Sequence, residues 1–245
     1  MKQSIQDDYY LTTEGDNFFK RNFEGKAVPA LRPNKQTILT QLTDLKIQPA
    51  SVLEYGCNYG DLLHALSPGA TECIGVEAST KAVEFGNSIY GGKICLHKGT
   101  IADNPINSDE KFSQRFDLVI VDDVFGWVSR ETLFHSIANI DKALKDGGYL
   151  FIRDFFPAER VRNKNHHVSQ DIVFNYKVPG SHAQIFIDSG MYAIHHQRTF
   201  IDHTDMSANY HSTRLFESRW TDVILKKSYC DYFNINQPLP PEPVA

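Results

Sequence analysis

The eight residues from Glu54 to Asp61 combine two carboxylates with two glycines at close spacing. A short apolar run precedes them, and apolar residues at helical spacing follow. A buried strand, a tight turn and a helix produce this pattern, which is typical of the first unit of a nucleotide-binding α/β sheet. One glycine lets the chain turn with positive φ, and the other lets backbone approach a ligand closely.

Two ligands compete for this turn. A dinucleotide site has the pattern Gly-x-Gly-x-x-Gly and leaves the helix N-terminus free for a pyrophosphate. Here Asn58 and Asp61 stand at the second and last glycine positions, and a carboxylate in the first helical turn repels a diphosphate. S-adenosylmethionine has a positive sulfonium, a positive amino group and no phosphate. We therefore expect Glu54 and Asp61 to form an acidic rim that favours S-adenosylmethionine over NAD.

Carboxylates also end the later apolar strands. Glu77 ends the second strand, where a carboxylate accepts hydrogen bonds from both ribose hydroxyls, although a capping role is an alternative. Asp103 follows the third strand and is placed to accept from an adenine amino group; an Asx turn before Asn104 explains it almost as well. The fourth strand is nearly all apolar and ends in Asp122 and Asp123, as expected for a strand buried on both faces.

Five apolar strands alternate with helical segments between residues 51 and 152, which predicts a parallel, doubly wound sheet. Two more strands, at 192–201 and 220–227, are predicted to pair as an antiparallel edge. Asp16 and Asn34 are candidate N-caps of two earlier helices. The fold class is therefore α/β, a Rossmann-like seven-stranded sheet with an N-terminal helical lid. We divide the chain into a lid (1–34), a main domain (35–233) and a proline-rich flexible tail (234–245).

Composition limits the classes of function. The 245-residue chain has a net charge of −5 and 41% hydrophobic residues, which is ordinary for a globular protein and argues against a broad nucleic-acid surface. No apolar run approaches the ~20 residues of a membrane helix, and the N-terminus lacks the apolar core of a signal peptide. Four scattered cysteines form no C-x-x-C pair. We expect a cytoplasmic protein with reduced thiols that binds neither nucleic acid nor membrane.

Four segments in order resemble the motifs of class I S-adenosylmethionine-dependent methyltransferases, over about residues 35 to 230. They are residues 53–60, 75–77, 116–119 and 144–150. The resemblance implies S-adenosylmethionine as the cofactor and a sheet that ends with an antiparallel strand. It places Trp127 near the methyl group, although core packing explains this residue equally well. The cofactor-binding residues that we predict are Arg21, Glu54, Gly56, Cys57, Asn58, Gly60, Glu77, Ala78, Ile101, Asp103, Asp122 and Trp127.

The segment from Gly15 to Asn22 resembles the region before the core in methyltransferases of bacterial surface-sugar pathways, including those associated with pseudaminic acid. This resemblance implies a lid over the cofactor, with Arg21 near the methionine carboxylate and Tyr9, Tyr10 or Phe18 over the methyl donor. It implies methyl transfer to a hydroxyl or amino group of a small polar acceptor, such as a sugar or nucleotide-sugar. A homodimer is among the assemblies that we expect.

The segment after the fifth strand holds the richest set of polar side chains. Asp154 leaves the carboxyl end of that strand, where ligands bind in such sheets, and His166 and His167 follow. A hydroxyl acceptor needs a base, and histidine suits that role near neutral pH. We predict that Asp154 orients a histidine or binds the acceptor and that His166 or His167 is the base; a pair of exposed loop histidines is an equally good interpretation. Few acids lie nearby in sequence, so we expect no metal.

Three other functions stay open at this point. The first is a methyltransferase that acts on a protein, an RNA or a natural product. The second is an NAD-dependent oxidoreductase on a similar sheet, which Asn58 and Asp61 disfavour. The third is an adenosyl-binding protein that kept the fold without the chemistry.

Overall fold

A seven-stranded sheet forms the centre of the protein in the computed structural model, which describes residues 4–201 and 219–228. The described residues form nine strands, seven of which belong to this sheet: β1 Ser51–Tyr55, β2 Glu72–Glu77, β3 Cys95–Lys98, β4 Phe116–Asp122, β5 Leu144–Phe155, β6 Val161–Lys164, β7 Phe174–Lys177, β8 Tyr192–Ile201 and β9 Arg219–Lys227. The order in the sheet is β3-β2-β1-β4-β5-β9-β8. Strands β1 to β5 pair in parallel, and β9 runs antiparallel between β5 and β8. The predicted sheet with an antiparallel pair at one edge is confirmed.

One feature of the sheet region was not predicted. Strands β6 and β7 form a separate antiparallel ribbon, in which Val161 pairs with Lys177 and Lys164 with Phe174. β6 has no period-two pattern, and β7 alternates apolar with polar residues over only four positions, which is too short a run to predict a strand from the pattern alone. It follows directly after β5, on the edge of the sheet where the parallel strands end.

Helices cover both faces of the sheet. They are α1 Ile5–Tyr9, α2 Gly15–Asn22, α3 Pro33–Asp44, α4 Asp61–Leu66, α5 Thr80–Tyr90, α6 Pro105–Ser108, α7 Leu133–Ala143 and α8 Ala183–Asp188, with a π-helical turn at Tyr10–Glu14 and 3₁₀ turns at Glu110–Phe112 and Phe125–Trp127. Because side chains alternate along a strand, Leu118 and Ile120 of β4 pack with α3 and α4, whereas Val119 and Val121 pack with α7 and α8. This alternation decides which way the polar side chains at the strand ends point.

The start of the lid differs from the prediction. A helix begins at Ile5, where the Ser4 hydroxyl accepts from the Asp7 amide at 3.0 Å, and it continues through the π turn into α2. Asp16 therefore lies inside the helix, and its carboxylate instead accepts from the Ser79 hydroxyl at 2.7 Å, at the N-terminus of α5. Asn34 is not a cap either, because α3 begins one residue earlier at Pro33, a residue type suited to the first helical position.

The lid helices are tied to the carboxyl edge of the sheet. The Gln6 amide nitrogen donates to the carbonyls of Trp127 (2.5 Å) and Phe174 (3.0 Å), and its oxygen accepts from the Phe174 amide at 3.1 Å. A Cβ atom added at Gly15 would lie 2.9 Å from the Ser79 amide nitrogen, so only glycine lets the lid approach this closely. The lid thus contacts the loop after β2, the turn after β4 and the ribbon.

One predicted feature, the proline-rich tail at 234–245, lies outside the described residues. Within the described ranges, every helix is too short or too polar to cross a bilayer.

Candidate active site

The turn between β1 and α4 has the geometry that its glycines predicted. Gly56, Asn58 and Gly60 all have positive φ, at 69°, 54° and 81°. Asparagine tolerates this left-handed conformation better than most residues, so Asn58 can adopt it at the position where the dinucleotide pattern has its middle glycine. The Cys57 side chain points away from the turn, into contact with Gly75, and burial raises the pKa of its thiol. Cys57 therefore contributes backbone to the turn, not a reactive sulfur.

Glu77 lies beside this turn at the end of β2. Its two carboxylate oxygens accept from the amides of Asn58 and Ser79, each at 2.9 Å. Burial raises the pKa of Glu77 above its ordinary value, while these amide donors partly oppose the shift. The residue is partly exposed, as is Ala78, and each oxygen can accept a further hydrogen bond. This carboxylate is oriented as an acceptor for a vicinal diol such as a ribose.

The loop after β3 is held by side-chain amides. The buried Ile101 carbonyl accepts from Asn107 at 2.8 Å and from Asn139 at 3.0 Å. Asn104, not Asp103, caps α6 through its side-chain oxygen. The Asp103 side chain is exposed next to this loop. Its suggested contact with adenine stays a prediction.

The predicted acidic rim is wrong. Glu54 is completely buried, and its Oε1 lies 2.6 Å from the Lys35 ammonium, which also lies 2.8 Å from Asp122 Oδ2. Asp61 is completely buried as well, and both of its oxygens accept from the guanidinium of Arg32 at 2.6 to 3.0 Å. Lys35 and Arg32 therefore neutralise these carboxylates internally. The sequence did not reveal this because the partners come from the N-terminal end of α3.

Burial acts differently on the two acids that hold Lys35. It raises the pKa of Glu54 to about 7 even with the ammonium alongside. For Asp122, burial alone would raise the pKa, but Lys35 and Arg153 hold it below its ordinary value. Lys35 thus joins the ends of β1 and β4 behind the crevice that lies outside the carboxyl ends of the parallel strands. A contact of Glu54 or Asp122 with the cofactor stays a prediction.

Asp154 pairs with His182, and not with His166 or His167. The alternation along β5 directs Asp154 toward α8, where its Oδ2 contacts His182 Nδ1, and both side chains are about 1% exposed. His182 Nε2 lies 3.2 Å from Arg130 Nη1. Because arginine only donates, Nε2 must accept, which places the imidazole proton on Nδ1 facing the carboxylate. The three side chains form a hydrogen-bonded chain that connects β5, α8 and the loop after β4, with Asp154 and His182 buried and Arg130 half-buried.

His166 and His167 occupy an exposed turn between β6 and β7. Their rings lie 3.9 Å apart between centroids. Desolvation and the nearby Arg21 and His166 hold the pKa of His167 below its ordinary value. The expected Asp154 partnership was wrong for both residues, and a role as base stays a prediction.

The lid contributes a polar cluster in which Arg21 and Tyr10 were predicted site residues, whereas Glu14 and Asn165 were not. Glu14 is 2% exposed, and its Oε1 accepts from Arg21 at 2.6 Å and from Asn165 at 3.4 Å. Its Oε2 is buried and has no hydrogen-bond partner among the residues that the structure describes. Tyr10 packs edge-on against Trp127 with the ring centroids 6.4 Å apart. Both Tyr10 and Glu14 belong to the π-helical turn. Such turns often occur at functional sites, but no residue pattern predicts them.

Comparison with known proteins identifies the family of this chain. The family model described as "Methyltransferase domain" matches residues 27–197. No curated protein sequence matches the chain. Among solved structures, the 1,6-didemethyltoxoflavin-N1-methyltransferase of Burkholderia thailandensis, with S-adenosylhomocysteine bound, has a TM-score of 0.63 at 12% identity and covers 93% of each chain.

Two other structures have the same fold. An S-adenosylmethionine-dependent methyltransferase from Mesorhizobium loti has a TM-score of 0.55 at 16% identity, over 77% of this chain and 96% of its own. The N-methyltransferase NodS of Bradyrhizobium japonicum has a TM-score of 0.54 at 16% identity, over 80% and 98%. Since the family model matches well over half of the sequence, the chain belongs to the methyltransferase-domain family.

Proposed function

We propose that this protein transfers a methyl group from S-adenosylmethionine to a hydroxyl or amino group of a small polar molecule. The observation that carries the proposal is Glu77, whose carboxylate is held by two backbone amides beside the left-handed turn after β1. A fixed carboxylate at this strand end suits the ribose of an adenosyl ligand.

The residues at the crevice fit such a ligand from end to end. Glu77 would accept from the ribose hydroxyls, and the exposed Asp103 from the adenine amino group. At the other end, Arg21 would bind the methionine carboxylate, and the unpartnered Glu14 oxygen would accept from the amino group. When bound, the cofactor supplies an electrophilic methyl group. The protein positions the acceptor next to it and excludes water.

The lid supports a small acceptor. Gln6 ties the lid to the turn that carries Trp127 and to β7, so the crevice is covered by helices on its open side. The polar side chains around it, among them Asp123 and Lys177, suit an acceptor with several hydroxyl or amino groups. A sugar or nucleotide-sugar is the acceptor that the lid resemblance favours. N-methylation is the second candidate, supported by the two relatives whose names specify it.

The proposed function assigns a role to each part of the chain. We propose residues 1–34 as the lid, 35–233 as the catalytic domain and 234–245 as a separate tail segment. We propose further that the enzyme acts in the cytoplasm, alone or as a homodimer, without nucleic acid or membrane.

Calorimetry with S-adenosylmethionine tests the cofactor assignment. Wild type should bind it, and Glu77→Ala should weaken binding by about 10- to 100-fold, since hydrogen bonds to a charged group contribute about 1.5–3 kcal/mol. Glu84→Ala, which removes an exposed carboxylate from α5, is the matched control and should bind as wild type does. No binding by wild type, or undiminished binding by Glu77→Ala, would contradict the proposal.

A radiolabelled methyl-transfer assay tests the acceptor class. Methyl glucoside, glucosamine and nucleotide-sugars form one panel, and total protein and tRNA form the other. We expect label in the small-molecule fraction. Label confined to protein or tRNA would show that the acceptor class is wrong while the cofactor is right.

A further inference from the structure

Three carboxylates lie at the carboxyl ends of β4 and β5, and they differ in one respect. Asp122 is paired with Lys35, and Asp154 with His182. Asp123 is exposed, whereas Asp122 and Asp154 are 6% and 1% exposed. Within the ranges 4–201 and 219–228, no basic side chain forms an ion pair with Asp123. It is therefore the carboxylate of this group whose charge is left for a ligand.

The backbone explains why Asp123 points into the crevice. Its φ is 57°, a left-handed conformation that ends β4, and its amide is fixed by donation to the Arg153 carbonyl at 2.9 Å. The side chain consequently turns away from both cores, in which its neighbours are buried. Aspartate is one of the few non-glycine residue types that are enriched in this conformation, so the backbone holds Asp123 in this position at little cost.

Aromatic and cationic side chains surround Asp123. On the lid side stands Tyr10, whose ring contacts Trp127, and burial together with Glu14 and Asp123 raises the pKa of the Tyr10 hydroxyl. On the ribbon side stands Lys177, with its ammonium 3.3 Å from the centre of the Phe155 ring. Burial lowers the pKa of Lys177, although Asp123 and Asp154 oppose this. An aromatic wall, a cation and a free carboxylate thus converge from three elements.

We propose that Asp123 contacts the acceptor at the reacting atom and receives the proton that methyl transfer releases. This inference rests on the proposed function. For a hydroxyl acceptor, the oxygen lone pair forms the new O–CH₃ bond, the C–S bond electrons return to sulfur, and the hydroxyl proton passes to the Asp123 carboxylate. For an amine, the same carboxylate holds the nitrogen and takes one of its protons. Lys177 is a positioning residue that orients the acceptor from the opposite side.

The charges that face Asp123 set the pH range in which it acts. The side chain of Asp123 reaches solvent, but the protein atoms packed around it remove part of its hydration, and this desolvation raises its pKa above the ordinary value. The negative charges of Asp122 and Asp154 add to the shift, whereas Lys177 and Lys35 oppose it. Tyr10 and Arg153 also face it. A base must be ionised to accept a proton, so activity should rise with pH through the elevated pKa of Asp123. The acid limb should lie above the range of an ordinary aspartate.

A binding measurement tests the placement without knowledge of the acceptor. S-adenosylmethionine has a positive sulfonium where S-adenosylhomocysteine has a neutral thioether, so a carboxylate at the reacting centre favours the former. In calorimetry at pH 8, Asp123→Asn should weaken S-adenosylmethionine binding by about threefold to tenfold and leave S-adenosylhomocysteine binding unchanged. Asp44→Asn, at the exposed end of α3, is the control and should change neither.

The outcomes separate the two proposals. If wild type binds neither ligand, the proposed function fails. If wild type binds both and the ratio of the two affinities is unchanged in Asp123→Asn, this inference alone is overturned. Asp123→Gly, which suits the left-handed backbone, should show the same changed ratio and guards against a folding defect.

Turnover gives a second readout with any panel acceptor that wild type methylates. Asp123→Asn should lower kcat by about 100-fold or more and abolish the acid limb of the pH profile. A kcat within twofold of wild type, with the acid limb intact, would overturn the role of Asp123 as proton acceptor.

Discussion

Replacement of Lys35 by methionine tests the buried charge network behind the crevice. Lys35 is 2% exposed and lies within 2.8 Å of both Glu54 and Asp122. Methionine fills much of the same volume but leaves two buried carboxylates without their shared cation. Breaking a buried ion pair costs about 3–5 kcal/mol. In a chain of this length each kcal/mol shifts Tm by about 2–4 °C, so we expect Tm to fall by about 6–20 °C at pH 8.

The loss should depend on pH with a predictable sign. The pKa of Glu54 is about 7 in the folded protein, above its ordinary value of 4.5. An acid with a raised folded pKa binds its proton more tightly when folded, so stability is lost as pH rises from about 4.5 to 7. Without Lys35 the folded pKa rises further. Lys35→Met should therefore be less destabilised at pH 6, where Glu54 can take up a proton, than at pH 8.

Thermal unfolding followed by circular dichroism at the two pH values measures this effect. Lys93→Met removes an exposed lysine and should stay within about 0.5 kcal/mol of wild type. Adding Glu54→Gln to Lys35→Met removes one stranded charge and should recover part of the stability. A Lys35→Met variant whose Tm stays within 2 °C of wild type at pH 8, or whose deficit is equal at both pH values, would refute the reasoning.

Three further predictions concern single contacts. His182→Ala should lower the free energy of unfolding, measured by urea titration, by about 2–4 kcal/mol, because Asp154 loses its buried partner. His166→Ala should lower it by less than about 0.5 kcal/mol, and equal losses would contradict the pairing of Asp154 with His182. Gly15→Ala should lower Tm and weaken S-adenosylmethionine binding, although alanine has the better helix propensity, because the added Cβ would lie 2.8–2.9 Å from backbone atoms. Gly69→Ala is the control, since a Cβ has room there; a Tm gain at both sites would contradict the close approach at Gly15. Asp123→Asn should raise Tm at neutral pH, since it removes a carboxylate that folding disfavours, and an unchanged or lower Tm would argue against that strain.

The sheet was predictable because its information is local. The apolar runs of β1, β2 and β4 are continuous, and the predicted bounds of β8, residues 192–201, coincide with the observed strand. The turn after β1 followed from its two glycines, whereas the left-handed conformation of Asn58 was not predicted. Period and turn chemistry suffice for such elements.

The charge partners were not predictable because they are distant in sequence. Asp154 finds His182 across 28 residues, while the nearer His166 and His167 lie on a separate ribbon. Proximity in sequence was therefore the wrong guide to the histidine. Lys35 did leave a signal, since it falls on the same helical stripe as the buried Ile38. A charged residue on a buried stripe requires a buried counter-ion, which Glu54 supplies.

The central claim is that an adenosyl ligand lies in the crevice with its ribose on Glu77, beneath the lid. A crystal structure of the protein with S-adenosylhomocysteine tests it most directly. We expect both ribose hydroxyls within hydrogen-bonding distance of the Glu77 carboxylate, and the sulfur on the side of the crevice where Asp123 lies. A ligand bound elsewhere, or one whose ribose leaves Glu77 without contact, would contradict it.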